Sequence, residues 1–357
     1  MAAQLRDAVY GCLVAGAIGD SLGAPVEGWY YQDIRDEHGK VDHFMPFETG
    51  YSDGTPGTVT DDSVLRHYLC MAIVRKGGRV TPDDFAEVWL DTLNPDRLWD
   101  NERIVLQKLR IGMNPWDTGR GTPPTGCASM AIAPIGLVNA ADPAQAYQDA
   151  FNIASINQDG PNRDAAATIA AAVAAAFLPG AGVQGVLDAM FEHSAEVVRR
   201  SLVLGMDLAR ASEGPDEFVE KFYDSLLDWT WPSRHWEPER YFSGSSLEIL
   251  PAVAGILHLC DADVERCLVE GASFGRDCDT IAGIAGNIAG VLRGTSGIPQ
   301  EWIRTVEEAN QPFFAEAEGD PNATLRHMAD RLVDVLRRQR RAAHERAAVL
   351  DELLGPE

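Results

Sequence analysis

The stretch Asp277-Cys278-Asp279-Thr280-Ile281-Ala282-Gly283-Ile284-Ala285-Gly286-Asn287-Ile288-Ala289-Gly290 constrains the fold more tightly than any other part of the chain. Its apolar periodicity predicts a helix over Thr280–Leu292. Glycine in a helix interior costs roughly 1 kcal/mol relative to alanine, so three in one helix need a packing reason. Gly286 and Gly290 share a face at i, i+4, where missing side chains let another backbone approach closely. A helix packed in that way belongs at the centre of a bundle, and it would fix Asp277 and Asp279 there.

The rest of the sequence supplies the bundle. Helical patterns cover Leu5–Ile18, Asp62–Arg75, Pro82–Thr92, Pro95–Leu109, Ser129–Val138, Pro143–Ile153, Asp164–Phe177 and, after several more, Pro299–Ala309 and Ala323–Leu354. Caps and first-turn prolines at Thr81-Pro82-Asp83-Asp84, Asp142-Pro143 and Gly214-Pro215-Asp216 mark helix starts. Lys40–Phe47 is the one weak strand candidate. The chain therefore reads as all-α. Without a repeat, low-complexity tract or linker, residues 1–357 read as a single domain, with the C-terminal helix at about 323–354 packed on it.

Charge removes some partners. Against 30 Lys+Arg stand 54 Asp+Glu, a formal net charge of -24, which opposes both nucleic acid and an anionic membrane unless a local basic site exists. Arg331, Arg337, Arg338, Arg340, Arg341 and Arg346 form one such cluster, read more simply as positive charge near a helix C-terminus or paired with carboxylates. The six cysteines are scattered without the spacing of a disulfide framework or a CxxC zinc signature. They read as free thiols in a reducing, cytoplasmic compartment. The apolar runs Val9–Ile18 and Ala165–Leu178 read as buried helices that span no membrane.

The chemistry has to come from acidic constellations. Gly57-Thr58-Val59-Thr60-Asp61-Asp62-Ser63 delivers a hydroxyl and two carboxylates to the first turn of a helix, and Asp277, Asp279 and Thr280 repeat the device. One such cluster is an ordinary helix cap. Two together offer enough hard oxygen for one or two divalent cations, Mg2+ or Mn2+. Zinc fits poorly, because neither cluster contains histidine. Phosphatases of the aspartyl-phosphate type and metal-dependent glycosyltransferases own similar strings, but on strands that are missing here. A third acidic segment is Gly19-Asp20-Ser21-Leu22-Gly23 with Glu27 on the loop beyond; Asp20 reads equally as a residue bonding the backbone of its own turn.

In order and interval these segments, with Met130-Ala131-Ile132-Ala133-Pro134-Ile135-Gly136 between them, resemble the ADP-ribosylglycohydrolase family over most of the chain. The resemblance implies an orthogonal all-α bundle around a dinuclear site, with Thr60, Asp61, Asp62, Asp277, Asp279 and Thr280 as ligands of two divalent cations. It places Glu27 near the ribose as a mobile acidic residue and gives Glu27, Asp62 and Asp279 catalytic roles. Substrate contacts would come from Asp20, Gly126, Cys127, Ala128, Ser129 and Gln158. Cleavage of a ribosyl bond builds oxocarbenium-like charge at the anomeric carbon, and carboxylates move the proton that water loses and the leaving group gains.

The chain departs from the family pattern at two places. Ala131 stands where members commonly carry arginine, and Gln158, within Asn157-Gln158-Asp159-Gly160-Pro161, stands where a histidine lies by the adenosine. The implied substrate is an ADP-ribosylated protein or a small ribosylated compound. Hydrolysis of a nucleoside or nucleotide N-ribosyl bond, and ADP-ribose binding without turnover, are the alternatives. The aromatic segment Phe222, Tyr223, Trp229, Trp231, Trp236, Tyr241 and Phe242, with Arg234 and His235, reads either as core packing under a loop or as a stacking platform for a base.

Overall fold

Apolar residues recurring every three to four positions produce helix almost everywhere. In the computed structural model, which describes residues 2–48, 52, 54–229 and 244–355, the described residues form sixteen α-helices and no strand. In chain order these begin with α1 Ala2–Gly23, α2 Tyr31–His38, α3 Asp61–Lys76, α4 Pro82–Thr92, α5 Asp100–Arg110 and α6 Ala133–Val138. There follow α7 Pro143–Ile153, α8 Gly160–Ala175, α9 Val183–Glu192, α10 Glu196–Arg210 and α11 Pro215–Trp229. The last are α12 Ser246–Leu259, α13 Val264–Ala272, α14 Cys278–Arg293, α15 Gln300–Glu318 and α16 Leu325–Leu354.

At the centre α1 and α14 lie backbone to backbone. A Cβ built on Gly286 would sit 2.6 Å from the Ala15 carbonyl oxygen, and one on Gly11 would sit 2.5 Å from that of Gly290. Gly19 and Gly23 face the backbone of Ala282 and Asp279 in the same way. The expected glycine face of α14 is therefore met by a matching face on α1, and the helix does not stop at Ile18 but continues to Gly23. Asn287, buried at this seam, donates from Nδ2 to the Cys12 carbonyl at 2.7 Å. A second layer, including α12 and α13, packs on this pair, and the buried apolar residues form one cluster from Val9 to Val335. The segment Gln4–Val26 is long and apolar enough to cross a bilayer, but 89% of its most apolar window is buried inside the protein.

Elsewhere the expected elements shift for identifiable reasons. The strand candidate at Lys40–Phe47 is irregular, with an isolated bridge at Glu48. Its backbone and side chains are tied to helices instead: Val41 N–H donates to Ser273 Oγ at 2.9 Å, and Lys40 bonds Asp216 and Glu270 at 2.6 and 2.5 Å. The expected helix Ser129–Val138 begins only at Ala133, because the preceding turn offers the Met130 carbonyl to buried Arg66 at 2.9 and 3.1 Å. Pro95–Leu109 divides into a 3-10 turn capped by Asn94 and α5, with Trp99 extended between them. Helix α2 was not anticipated, since Ile34 is its one buried residue and leaves no apolar stripe. The basic cluster lies in the middle of α16, which runs on to Leu354 and has no basic residue in its last turn; the helix-dipole reading of that cluster is thus replaced, in part, by pairing of Arg331 with Glu318 and of Arg337 with Asp334. All six cysteines are free and buried.

The central seam makes a clear prediction. In an open helix Gly→Ala stabilises by up to about 1 kcal/mol, and Gly185→Ala in α9, with nothing within 4 Å of the new Cβ, should raise the melting temperature slightly. Gly286→Ala should instead destabilise by about 3 kcal/mol or more, since backbone must separate to admit one methyl. Thermal unfolding followed by circular dichroism compares the two, and equal effects would mean that the seam is not tight.

Candidate active site

Three segments are brought together by backbone bonds before any ligand is considered. Fully buried Asp20, on the last turns of α1, accepts from the backbone N–H groups of Thr60 and Ser63, both at 3.0 Å. It therefore fixes the start of α3, not the backbone of its own turn. Thr60 caps α3 by accepting from the Asp62 N–H at 3.3 Å. Thr280, in the first turn of α14, donates its hydroxyl to Asp62 Oδ2 at 2.9 Å and so joins the two helix starts. Asp61, Asp62 and Asp279 all lie in first turns, where the helix dipole favours negative charge.

Glu27 reaches this group through a loop that the sequence did not predict in detail. Gly275 and Arg276 both adopt left-handed backbone, with φ of 78° and 59°, and a Cβ on Gly275 would lie 2.8 Å from the Trp29 carbonyl. Across that contact Gly28 N–H donates to the Arg276 carbonyl at 2.7 Å, and Arg276 N–H donates to Trp29 at 2.8 Å. The guanidinium of Arg276 forms a buried ion pair with Glu248 on α12, including an Nη2–Oε2 bond of 3.0 Å. A lone carboxylate on the otherwise apolar Leu247–Leu257 stretch was the available signal for this anchor. Tyr223 adds a third tie, donating to the Phe274 carbonyl at 2.9 Å.

As a result Glu27, Asp277 and Asp279 each present a carboxylate oxygen within 4.8 Å of the others. Asp279 Oδ1 is buried without a hydrogen-bond partner, a situation that ordinarily costs about 1–3 kcal/mol and calls for a ligand. All the donors are hard oxygens, and Cys278 turns away to the Gly23 carbonyl at 3.5 Å. The residues present therefore suit a hard divalent cation. Glu27 is open to the cavity yet ringed by protein and acidic neighbours: burial first, then Asp277 and Asp20, push it up to about 8. Burial likewise raises Asp277 to about 6 against the opposing hydrogen bonds of Thr280 and Asp279. Asp61, Asp62 and Asp279 are raised too, by burial and then by neighbouring carboxylates.

This acidic group forms the floor of a cavity of about 670 Å³, within the range of small-molecule sites. Its walls include Pro123, Pro124, Thr125, Gly126 and Cys127 from the loop before α6, Val197, Arg200, Ser201 and Leu204 from α10, and Trp99. No sequence pattern pointed to the α10 or Trp99 contributions, because they depend on how distant helices pack.

Residues 1–342 match the sequence model of the ADP-ribosylglycohydrolase family. The chain belongs to that family. An uncharacterized protein of Archaeoglobus fulgidus is 29% identical over 308 residues, covering 83% of this chain and 90% of its own length. The uncharacterized protein YegU of Escherichia coli is 24% identical over 333 residues, covering 86% and 93%. The ADP-ribosyl-dinitrogen reductase glycohydrolase of Rhodospirillum rubrum is 24% identical over 309 residues, covering 85% and 92%. A solved structure described as an ADP-ribosylglycohydrolase-related protein complex superposes with a TM-score of 0.67 at 19% identity, covering 94% of this chain and 98% of that one, a likeness of fold. Glycosidase-type hydrolysis is the chemistry that goes with this ADP-ribosylglycohydrolase membership.

In this chain the expected substrate contacts divide. Gly126 and Cys127 line the cavity, whereas Asp20, Ala128, Ser129 and Gln158 are buried behind its walls. Ser129 shares a hydrogen bond of 2.8 Å with Ser246. Gln158 spends its amide on the loop, donating to Pro123 O at 3.2 Å and Thr125 Oγ1 at 2.9 Å and accepting from Thr125 N–H at 3.3 Å. Its role is to hold the wall. Of the aromatic segment, Phe222 and Tyr223 pack on Phe274 in the core; Trp231, Arg234, His235, Trp236, Tyr241 and Phe242, and the Trp229 side chain, lie outside the described residues.

The crowded carboxylates make stability depend on pH in a definite sense. Their native pKa values lie above ordinary ones, so above about pH 4 the unfolded chain releases protons that the native state still holds, and rising pH favours unfolding. Metal-free protein, kept in chelator, should lose melting temperature as pH rises from about 4.5 through the Asp277 value near 6 toward the Glu27 value near 8. Magnesium should restore most of the loss at neutral pH. A flat profile in chelator would show that these charges do not repel one another.

Proposed function

We propose that this chain is a hydrolase dependent on two divalent cations, Mg2+ or Mn2+, that removes ADP-ribose from a modified protein or small acceptor. The observation that carries the reading is the convergence of Glu27, Asp277 and Asp279 oxygens, with Asp279 Oδ1 unpartnered, on the floor of a cavity large enough for a nucleotide sugar. The family match and the relationship to the R. rubrum glycohydrolase support it.

Asp61, Asp62, Asp277 and Asp279 would hold the cations, with the Thr60 and Thr280 hydroxyls at the same two helix starts. The cations would supply a fixed hold on the ribose hydroxyls, which sets the position of the anomeric carbon. Glu27, on the loop and open to the cavity, would exchange a proton with water or the leaving group. The rigid α1–α14 pair holds that geometry without help from substrate, and the apolar wall of prolines and Leu247 excludes water around the rest of the ligand.

The test is to incubate the purified chain and magnesium with ADP-ribosyl-arginine, ADP-ribosyl-serine and a nucleoside panel, and to identify the products by mass. Release of ADP-ribose is the expected result; release of a free base from a nucleoside would move the assignment to N-ribosyl hydrolysis. Asp279→Ala should abolish cation binding and turnover together. Glu27→Gln should lower kcat by roughly 100-fold while leaving ligand affinity largely intact. Full activity after exhaustive chelation would sink the cation requirement.

A further inference from the structure

Helix α16 outlasts the body that it packs on. Its first half buries residues such as Met328, Leu332 and Val335, packing mainly on α1 and α3. From Arg340 to Leu354 every residue is exposed, which at 1.5 Å per residue is about 22 Å of helix. Isolated helices of this length are marginal in water and usually owe their order to an apolar face that is packed on something. This half has such a face. Ala343, Ala347, Leu350 and Leu354 recur at i, i+4, i+7 and i+11, with Val349 and Leu353 beside them. Traced back at the same period the stripe leads to Leu336 and Leu332, so it continues the buried face of the proximal half. Val349, Leu350, Leu353 and Leu354 are 55%, 44%, 75% and 82% exposed, the densest group of exposed large apolar residues among those described. Turns beyond residue 342 also lie outside the family match.

We propose that the projecting half of α16 docks a second copy of this chain, two such helices pairing antiparallel about a two-fold axis near residues 345 and 346. Charge selects this partner and this direction. The proximal turns carry Arg337, Arg338, Arg340 and Arg341, while the tip carries Asp351 and Glu352. Parallel pairing would set like charges level with one another. Antiparallel pairing about that axis sets Arg340 of each chain level with Asp351 of the other, both on the same flank of the stripe, and brings Arg346 level with Glu345. On the opposite flank Ala342 comes level with Val349. The contact is self-complementary and closes as a dimer. It also leaves the two bodies, which give the chain its net charge of -24, at opposite ends of the helix pair. The acidic tip disfavours an anionic membrane or nucleic acid as the occupant.

Sedimentation equilibrium of the full chain over a wide concentration range tests the proposal independently of catalysis. The mass should double with concentration, as suits a small, reversible interface. The double variant Leu350→Glu/Leu354→Glu should remain a monomer throughout, or raise the midpoint concentration by at least about tenfold. It should keep its far-UV signal from the body and its turnover, because neither residue approaches the cavity. Arg340→Asp and Asp351→Arg should each weaken self-association, and an equimolar mixture of the two should restore it as a mixed dimer. A wild-type chain that stays monomeric, a dimer unaffected by the double variant, or a mixture that fails to associate would each overturn the proposal. Binding of monomer to vesicles of phosphatidylcholine and phosphatidylserine, lost in the double variant, would assign the face to a membrane instead.

Discussion

Everything in the site depends on one contact: the backbone of α1 against the backbone of α14. Gly11, Gly19 and Gly23 on one helix, and Gly286 and Gly290 on the other, remove the side chains that would hold the two axes apart. The helices consequently pack through dispersion and buried amide bonds such as that from Asn287 to Cys12. The glycine entropy lost in helix interiors, about 1 kcal/mol at each position, is offset by the density of that packing. The functional consequence lies at the end of the seam, where Gly23 meets Asp279. Asp20 and Asp279 are positioned by the same contact, one from each helix.

Held together without a cation, the acidic groups oppose the fold. Several are tied down by hydrogen bonds, Asp20 by two backbone amides and Asp62 by the Thr280 hydroxyl, and the buried Arg66 guanidinium is a counter-charge to both. Two helix N-termini add favourable partial charge. This arrangement holds like charges close in a rigid frame, and a ligand of positive charge would relieve their repulsion. Strain of this kind persists where the surroundings over-determine the geometry.

The legible parts of this design are those encoded locally. Periodicity and capping residues located most helices, and α4 and α7 begin and end where the Pro82–Thr92 and Pro143–Ile153 patterns do. The glycine spacing of α14 foretold its close neighbour, and the acidic pairs at two helix starts foretold their convergence. What the sequence did not disclose arises from contacts between distant segments. The partner of the glycine face, the pairing of Arg276 with Glu248, the burial of Gln158 behind its own loop and the α10 wall all depend on tertiary packing that has no period of its own. Helix α2 escaped because one buried isoleucine leaves no stripe to read.

The same distinction separates the acidic floor of the cavity from its wall. A side chain added at the seam meets backbone, so the positions that hold Asp20 and Asp279 can change only if two helices move. Ala131 and Gln158 are not among the close contacts of that seam. Ala131 is a small buried residue beside the Met130 carbonyl that Arg66 binds, and Gln158 bonds a loop that another polar side chain could brace equally well. The backbone contact that fixes the acidic floor and the side-chain bonds that brace the wall are thus distinct in this fold. Among the described residues that line the cavity Trp99 is the aromatic and Arg200 the cationic member, whereas Gln158 and Ala131 lie buried behind it.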